Sequence, residues 1–259
     1  TGFDYLGEPT PYYTDWPSHS SLFGIIDLAG LPKDRYYLYR SHWNKEAETL
    51  HILPHWTWNG REGEVTPVFV YTNYPSAELF INGKSQGVRT KDLSVTVHNS
   101  GDSLSVANLK RQQRYRLMWM DTVYEPGTVK VVAYDAEGNA VAQKEIHTAG
   151  KPHHIEMEAD RTAIKADGKD LSFITVKVVD KDGNLCPMAD NEITFKVKGA
   201  GSYCAGANGD PISLESFQEP HMHVFSGMMT AIVSSSEEPG EIILEASSKG
   251  LKKGVIVIK

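Results

Sequence analysis

The sequence predicts a mainly β chain: two consecutive immunoglobulin-like antiparallel sandwiches, preceded by a stretch of loop and helix. Three observations carry this. Short runs rich in β-branched and aromatic residues recur along the chain, separated by Gly, Asn and Pro. Turn formers are abundant and dispersed, with 22 Gly and 13 Pro in 259 residues. In "HIEMEAD", Ile155, Met157 and Ala159 alternate with Glu156 and Glu158, the pattern of a strand with one face buried and one in water. A chain of this length fills one large core or about two to three small ones.

The first segment, "TGFDYLGEPTPYYTDWPSHSSLFGIIDLAG", has no periodicity. It gathers acidic and aromatic residues with X-Pro turns, the composition of a binding-site rim. "LPKDRYYLYRSHWNKEAE" then reads as a helix. Pro32 suits a first helical turn, and Tyr36, Tyr39, Arg40 and Trp43 recur along one face. That aromatic face calls for a large neighbour, and no second helix follows to supply one. From about residue 50 the runs are strand-like: "VTPVFVYTN", "AELFING", "LSVTVHN", "YRLMWMDTVY", "TVKVVAYDAEGN" and "AVAQKEIHT". "AELFINGKSQG" places Asn82-Gly83 between two strands, the strongest short hairpin signal. Six or more strands in about 100 residues predict a sandwich.

"HTAGKP", residues 147–152, reads as a linker. A second set follows, with "HIEMEAD", "LSFITVKVVDKDGN", "NEITFKVKG", "TAIVSSS", "GEIILEASS" and "KGVIVIK". The expected organisation is residues 1–49 for loop and helix, 50–149 for the first sandwich and 150–259 for the second. "TVKVVAYDAEGN" at 128–139 and "TVKVVDKDGN" at 175–184 echo one another, each a strand entering an acidic Gly-Asn turn. Duplication would produce this, and so would independent selection for a good hairpin.

Composition narrows the function. A formal charge of −7 without a basic stripe leaves no electrostatic footprint for nucleic acid. No apolar run reaches the roughly 18 residues of a spanning helix. With no initiator Met and no signal sequence, Thr1 is expected to be an internal boundary of a longer polypeptide. Phosphate loops and a nucleophile elbow are missing, and no cofactor is implied. His221 and His223 would share a strand face and His153-His154 lies at the linker, but no third or fourth ligand accompanies them, so no metal is expected. The two cysteines, Cys186 and Cys204, could pair across facing strands or remain as thiols.

Two groups remain as candidate sites. Asp4 and Glu8 lie among Phe3, Tyr5, Tyr12, Tyr13 and Trp16. Glycosidases use paired carboxylates, but such pairs come from different strand ends rather than one loop. The aromatics suit sugar stacking or adhesion to a barrel wall equally. Trp56 and Trp58 in "HWTWNG" lie two apart and would share a strand face, which suits either stacking on sugar or burial.

The order of these motifs resembles the C-terminal portion of glycoside hydrolase family 2 enzymes of the β-galactosidase type. "TGFDYLGEPTPY" is similar to the segment after the eighth barrel strand, and "IDLAGLPKDRYYLYRSHW" to the last barrel helix with its lead-in. "LHILPHWTWNGREGEVTPVFVYTNYPSAELFINGKSQG" and "YRLMWMDTVYEPGTVKVVAYDAEGN" resemble the first accessory sandwich. "ADRTAIKADGKDLSFITVKVVDKDGN", with "GANGDP" beyond it, resembles the C-terminal immunoglobulin-like domain. The resemblance covers essentially the whole chain.

It implies a loop-plus-helix remnant of a (β/α)8 barrel, with Phe3, Asp4, Tyr5 and Glu8 bordering the parent's sugar pocket. Both catalytic glutamates would lie upstream, leaving no catalytic residue here. The partners implied are a carbohydrate substrate and the catalytic barrel in cis, and the location implied is periplasmic or extracellular. The alternatives are a carbohydrate-binding module using Trp56 and Trp58, or an adhesion sandwich, which leaves the opening loop and orphan helix unexplained.

Overall fold

A computed structural model describes residues 2–7, 20–94 and 104–259, the side chains of 104–107 and 109 excepted. The chain divides into two compact units, Lys33–Thr148 and Thr1–Pro32 with Ala149–Lys259.

The Lys33–Thr148 unit opens with helix α1 (Asp34–Trp43) and continues through β1 (Leu50–Leu53), β2 (Val68–Thr72), β3 (Ser76–Ile81) and β4 (Lys84–Thr90). A second helix, α2 (Leu104–Tyr115), then precedes β5 (Leu117–Trp119), β6 (Thr128–Tyr134) and β7 (Ala140–His147). The strands form antiparallel sheets ordered β1-β2-β5 and β4-β3-β6-β7. Alternation sends Val68 and Val70 of one sheet, and Leu79, Ile81, Val129 and Val131 of the other, into a shared core with Trp56, Trp119 and Tyr124. The predicted hairpin is present. Asn82 and Gly83 have φ of 49° and 79°, the left-handed pair of a type I′ turn. The Asn82 side chain accepts from Thr128 N (2.8 Å) and donates to Pro126 O (3.2 Å). A Cβ on Gly127 (φ 138°) would fall on that amide oxygen, so only glycine fits there.

Helix α1 departs from expectation in three ways. It ends at Trp43 rather than running into "NKEAE", because Asn44 turns extended and its side-chain oxygen takes the N–H groups of Glu46 and Ala47. Pro32 precedes it rather than joining its first turn. Its inward residues also differ from the predicted stripe. Tyr37 stacks on His51 at 3.9 Å and Ser41 is buried, while Trp43 is 75% exposed. Helix α2 corrects the expectation that no second helix follows. The predicted strand "LSVTVHN" lies largely outside the described residues.

The other unit holds β8 (His154–Ala159), β9 (Leu171–Val179), β10 (Glu192–Gly199), β11 (Gly201–Ala207), β12 (His221–His223), β13 (Met228–Ser235), β14 (Ile242–Ser247) and β15 (Gly254–Ile258). Two antiparallel sheets, β11-β13-β9-β8 and β12-β10-β14-β15, press Ile174, Val176, Met229 and Ala231 against Ile193, Leu244, Ala246 and Ile258. Ile155 is buried between exposed or half-exposed neighbours, as its alternation predicts. Cys186 is buried and Cys204 exposed; both are free thiols.

Candidate functional site

Residues 2–7 and 20–32 are laced together by backbone bonds. Phe3 bridges Ile26 and Leu6 bridges Ser20, while Asp4 N donates to Ile26 O at 2.8 Å and Ser21 N to Tyr5 O at 2.9 Å. The extended backbone alternates, burying Asp4 (8% exposed) between Phe3 (61%) and Tyr5 (44%). The Asp4 carboxylate accepts from Gly24 N at 2.8 Å and Ser21 Oγ at 3.3 Å. Gly24 is pressed so close that a Cβ would collide with the Asp4 backbone. Asp4 is therefore engaged in fixing the two stretches to one another. That fixation presents Phe3, Tyr5, Leu6, Leu22 and Phe23 as exposed apolar side chains. Glu8, Tyr12, Tyr13 and Trp16 lie outside the described residues. Ser21 and Gly24 escaped the sequence reading; the one signal was a glycine following "SLF" with no turn to serve.

The tryptophans separate. Neither lies on a strand, so their spacing of two residues does not place them on one face. Trp56 is 1% exposed, packs edge-on to Tyr124 at 5.2 Å and donates Nε1–H to Glu125 O at 2.9 Å. This ring is core, and no sugar can stack on it. Trp58 is half-buried, stacked on His55 at 4.1 Å with the Arg61 guanidinium 5.2 Å from its centroid. Burial holds the His55 pKa below its usual value, which favours the neutral ring in that stack.

Among the described residues, no group of three or more His, Cys, Asp or Glu is placed to hold a metal. His221 and His223 each pair with a carboxylate instead, Glu192 at 3.3 Å and Glu215 at 2.8 Å. No helix of the described chain is long and apolar enough to cross a membrane.

Comparison with known proteins bears on these features together. Residues 155–257 match the family model "Glycoside hydrolase family 2 C-terminal domain 5", and residues 63–142 match a domain of unknown function, DUF4982. Beta-galactosidase BoGH2A of Bacteroides ovatus is 46% identical over 258 residues, covering 100% of this chain and 27% of that protein. The chain is a C-terminal segment of a glycoside hydrolase family 2 protein.

Other relatives agree. A putative beta-glucuronidase of Formosa agariphila is 31% identical over 93% of the chain and 22% of its own length. The crystal structure of a beta-glycosidase from Bacteroides vulgatus superposes with a TM-score of 0.83 at 32% identity, covering all of this chain and 30% of that one. This family 2 segment thus spans about a quarter of the length of the curated relatives it matches. Its matched stretches cover most of the sandwich strands but not β1, and Phe3, Asp4 and Tyr5 precede both family models.

Proposed function

We propose that this segment is the non-catalytic C-terminal part of a retaining exo-β-glycosidase of the β-galactosidase type. In this reading the whole protein removes terminal β-linked sugars through a covalent glycosyl-enzyme intermediate, using two carboxylates carried upstream of these residues. The sandwiches buttress a catalytic barrel or shape access to it. The observation that carries the reading is identity of 46% along the entire chain to a beta-galactosidase of which it covers only 27%.

The local geometry is consistent with that role. Asp4 is occupied in holding its loop, and the exposed Phe3, Tyr5, Leu22 and Phe23 form apolar surface of the kind a neighbouring domain covers. In the proposed parent, Phe3, Asp4, Tyr5 and Glu8 border the sugar pocket. A carbohydrate-binding module built on Trp56 is disfavoured by that residue's burial.

The test is hydrolysis of nitrophenyl β-galactoside, β-glucuronide and β-mannoside by the full-length protein and by this segment. Turnover by the full-length protein alone is the expected result, with β-galactoside preferred. Turnover by the segment alone would overturn the proposal, and a preference for glucuronide would reassign the sugar.

A further inference from the structure

The outer face of the β4-β3-β6-β7 sheet carries a hollow of about 460 Å³. Its origin is the alternation that builds the core. With Leu79, Ile81, Val129 and Val131 pointing inward, Phe80, Thr128, Lys130 and Val132 must point outward. Register then sets Phe80 opposite Lys130, and Lys130 opposite Glu145, in one row across three strands. Asn82 closes one end, immobilised by its bonds to Thr128 N and Pro126 O.

The chemistry of this hollow is mixed in a specific way. Phe80 and Val132 provide an apolar floor. Around it stand an ammonium and a carboxylate 3.6 Å apart, Lys130 and Glu145, and the Thr128 hydroxyl, which bonds His147 Nδ1 at 3.0 Å. The opposite charges balance, so the hollow favours no ion of either sign. Its polar rim is equally unsuited to an aliphatic chain. A pyranose meets both conditions, having an apolar C–H face for the ring of Phe80 and a rim of hydroxyls that each donate and accept. The volume falls within the range of small-molecule sites.

We propose that this sheet face is a binding site for a neutral, hydroxyl-rich glycan, with Phe80 as the stacking platform and Lys130, Glu145 and Thr128 as the hydrogen-bonding rim. The site stands whether or not the whole protein turns over a glycoside.

The experiment follows backbone amide shifts of the full 259-residue chain by NMR. Lactose and cellotetraose serve as neutral probes, glucuronate and inorganic phosphate as charged ones. Saturable shifts confined to β3, β6 and β7 with at least one neutral sugar are expected. Glu145→Gln, which preserves shape, and Phe80→Ala should each weaken binding by about tenfold or more. The proposal is overturned if neither neutral sugar produces saturable shifts by about 50 mM, if only the charged probes do, if the shifts map elsewhere, or if Glu145→Gln binds as tightly as the unmodified chain.

Discussion

The carboxylate of Asp180 binds both the backbone and the side chain of Asn184. Oδ1 accepts Asn184 N at 2.9 Å and Oδ2 accepts Asn184 Nδ2 at 3.1 Å, while Asp182 N and Gly150 N complete the shell at 2.9 and 2.7 Å. Asp135 and Asn139 repeat the arrangement, with Asn139 N at 2.7 Å and Nδ2 at 3.0 Å. The sequence echo is thus a shared turn chemistry: an Asp collecting N–H groups two and four residues on, and a left-handed glycine before the Asn.

Burial distinguishes the two turns and sets the first prediction. Asp180 is buried and Asp135 is not. Burial alone would raise the Asp180 pKa, but the N–H groups of Gly150, Asn184 and Asp182 outweigh it and hold the carboxyl at about 2. A depressed folded-state pKa contributes stability that is present above the unfolded value near 3.8 and lost as pH falls through about 2. Asp180→Ala should cost roughly 2–3 kcal/mol at neutral pH and flatten the stability profile between about pH 4 and 2. Asp135→Ala should cost well under half as much. Urea titrations of both variants at pH 7 and pH 3 check this.

His223 titrates in the opposite direction. Its hydrogen bond to Glu215 raises the imidazole pKa above the usual 6.5, against the opposing effect of burial. The pair therefore contributes fully below pH 6.5, and that contribution is lost as pH rises through the raised value. Both partners are substantially solvated, so the effect on stability should stay below about 1 kcal/mol. An NMR titration should place His223 above 6.5, and Glu215→Gln should bring it down. An unchanged midpoint in that variant would remove Glu215 as the cause.

The two tryptophans make a matched contrast. Trp56→Ala empties a core site and orphans Glu125 O, and should cost about 3–5 kcal/mol. Trp58→Ala removes a half-buried ring stacked on His55 and should cost less than about half of that. Thermal melts of the two variants decide it; equal losses would show that the His55–Trp58–Arg61 stack is as integral as the core.

Much of this fold was legible because alternation and turn chemistry are local. Ile155, the Asn82-Gly83 turn and the strands around Val131 and Val176 follow directly from short windows. What escaped depends on partners far along the chain. Strand β11 is "GSYCAGA", small residues of weak β propensity, and it exists because β13 pairs with it. Helix α2 carries Lys110, Arg111, Gln112, Gln113 and Arg114 in succession, which hides any apolar stripe. In α1 the aromatic stripe was visible, but the ring that stacks on its own sheet is Tyr37, against His51. For the opening segment, the burial of Asp4 against Gly24 and Ser21 emerged only in three dimensions.

The cysteines supply the last prediction. Cys186 is buried, and burial followed by the nearby Asp180 charge pushes its thiol up to about 11. Its sulfur lies 3.7 Å from Gly150 O and 3.8 Å from Asn184 O, inside the same turn that Asp180 organises. Since the thiolate is the reactive species, Cys186 should be inert in the folded chain while the exposed Cys204 is open to reagent. A disulfide-exchange reagent at pH 8 should label one thiol rapidly and the second only on unfolding. Asp180→Ala loosens the turn around Cys186, so it should speed the second phase without altering the first. Rapid labelling of both thiols in the native chain would contradict the burial of Cys186, and labelling of neither would point to their pairing.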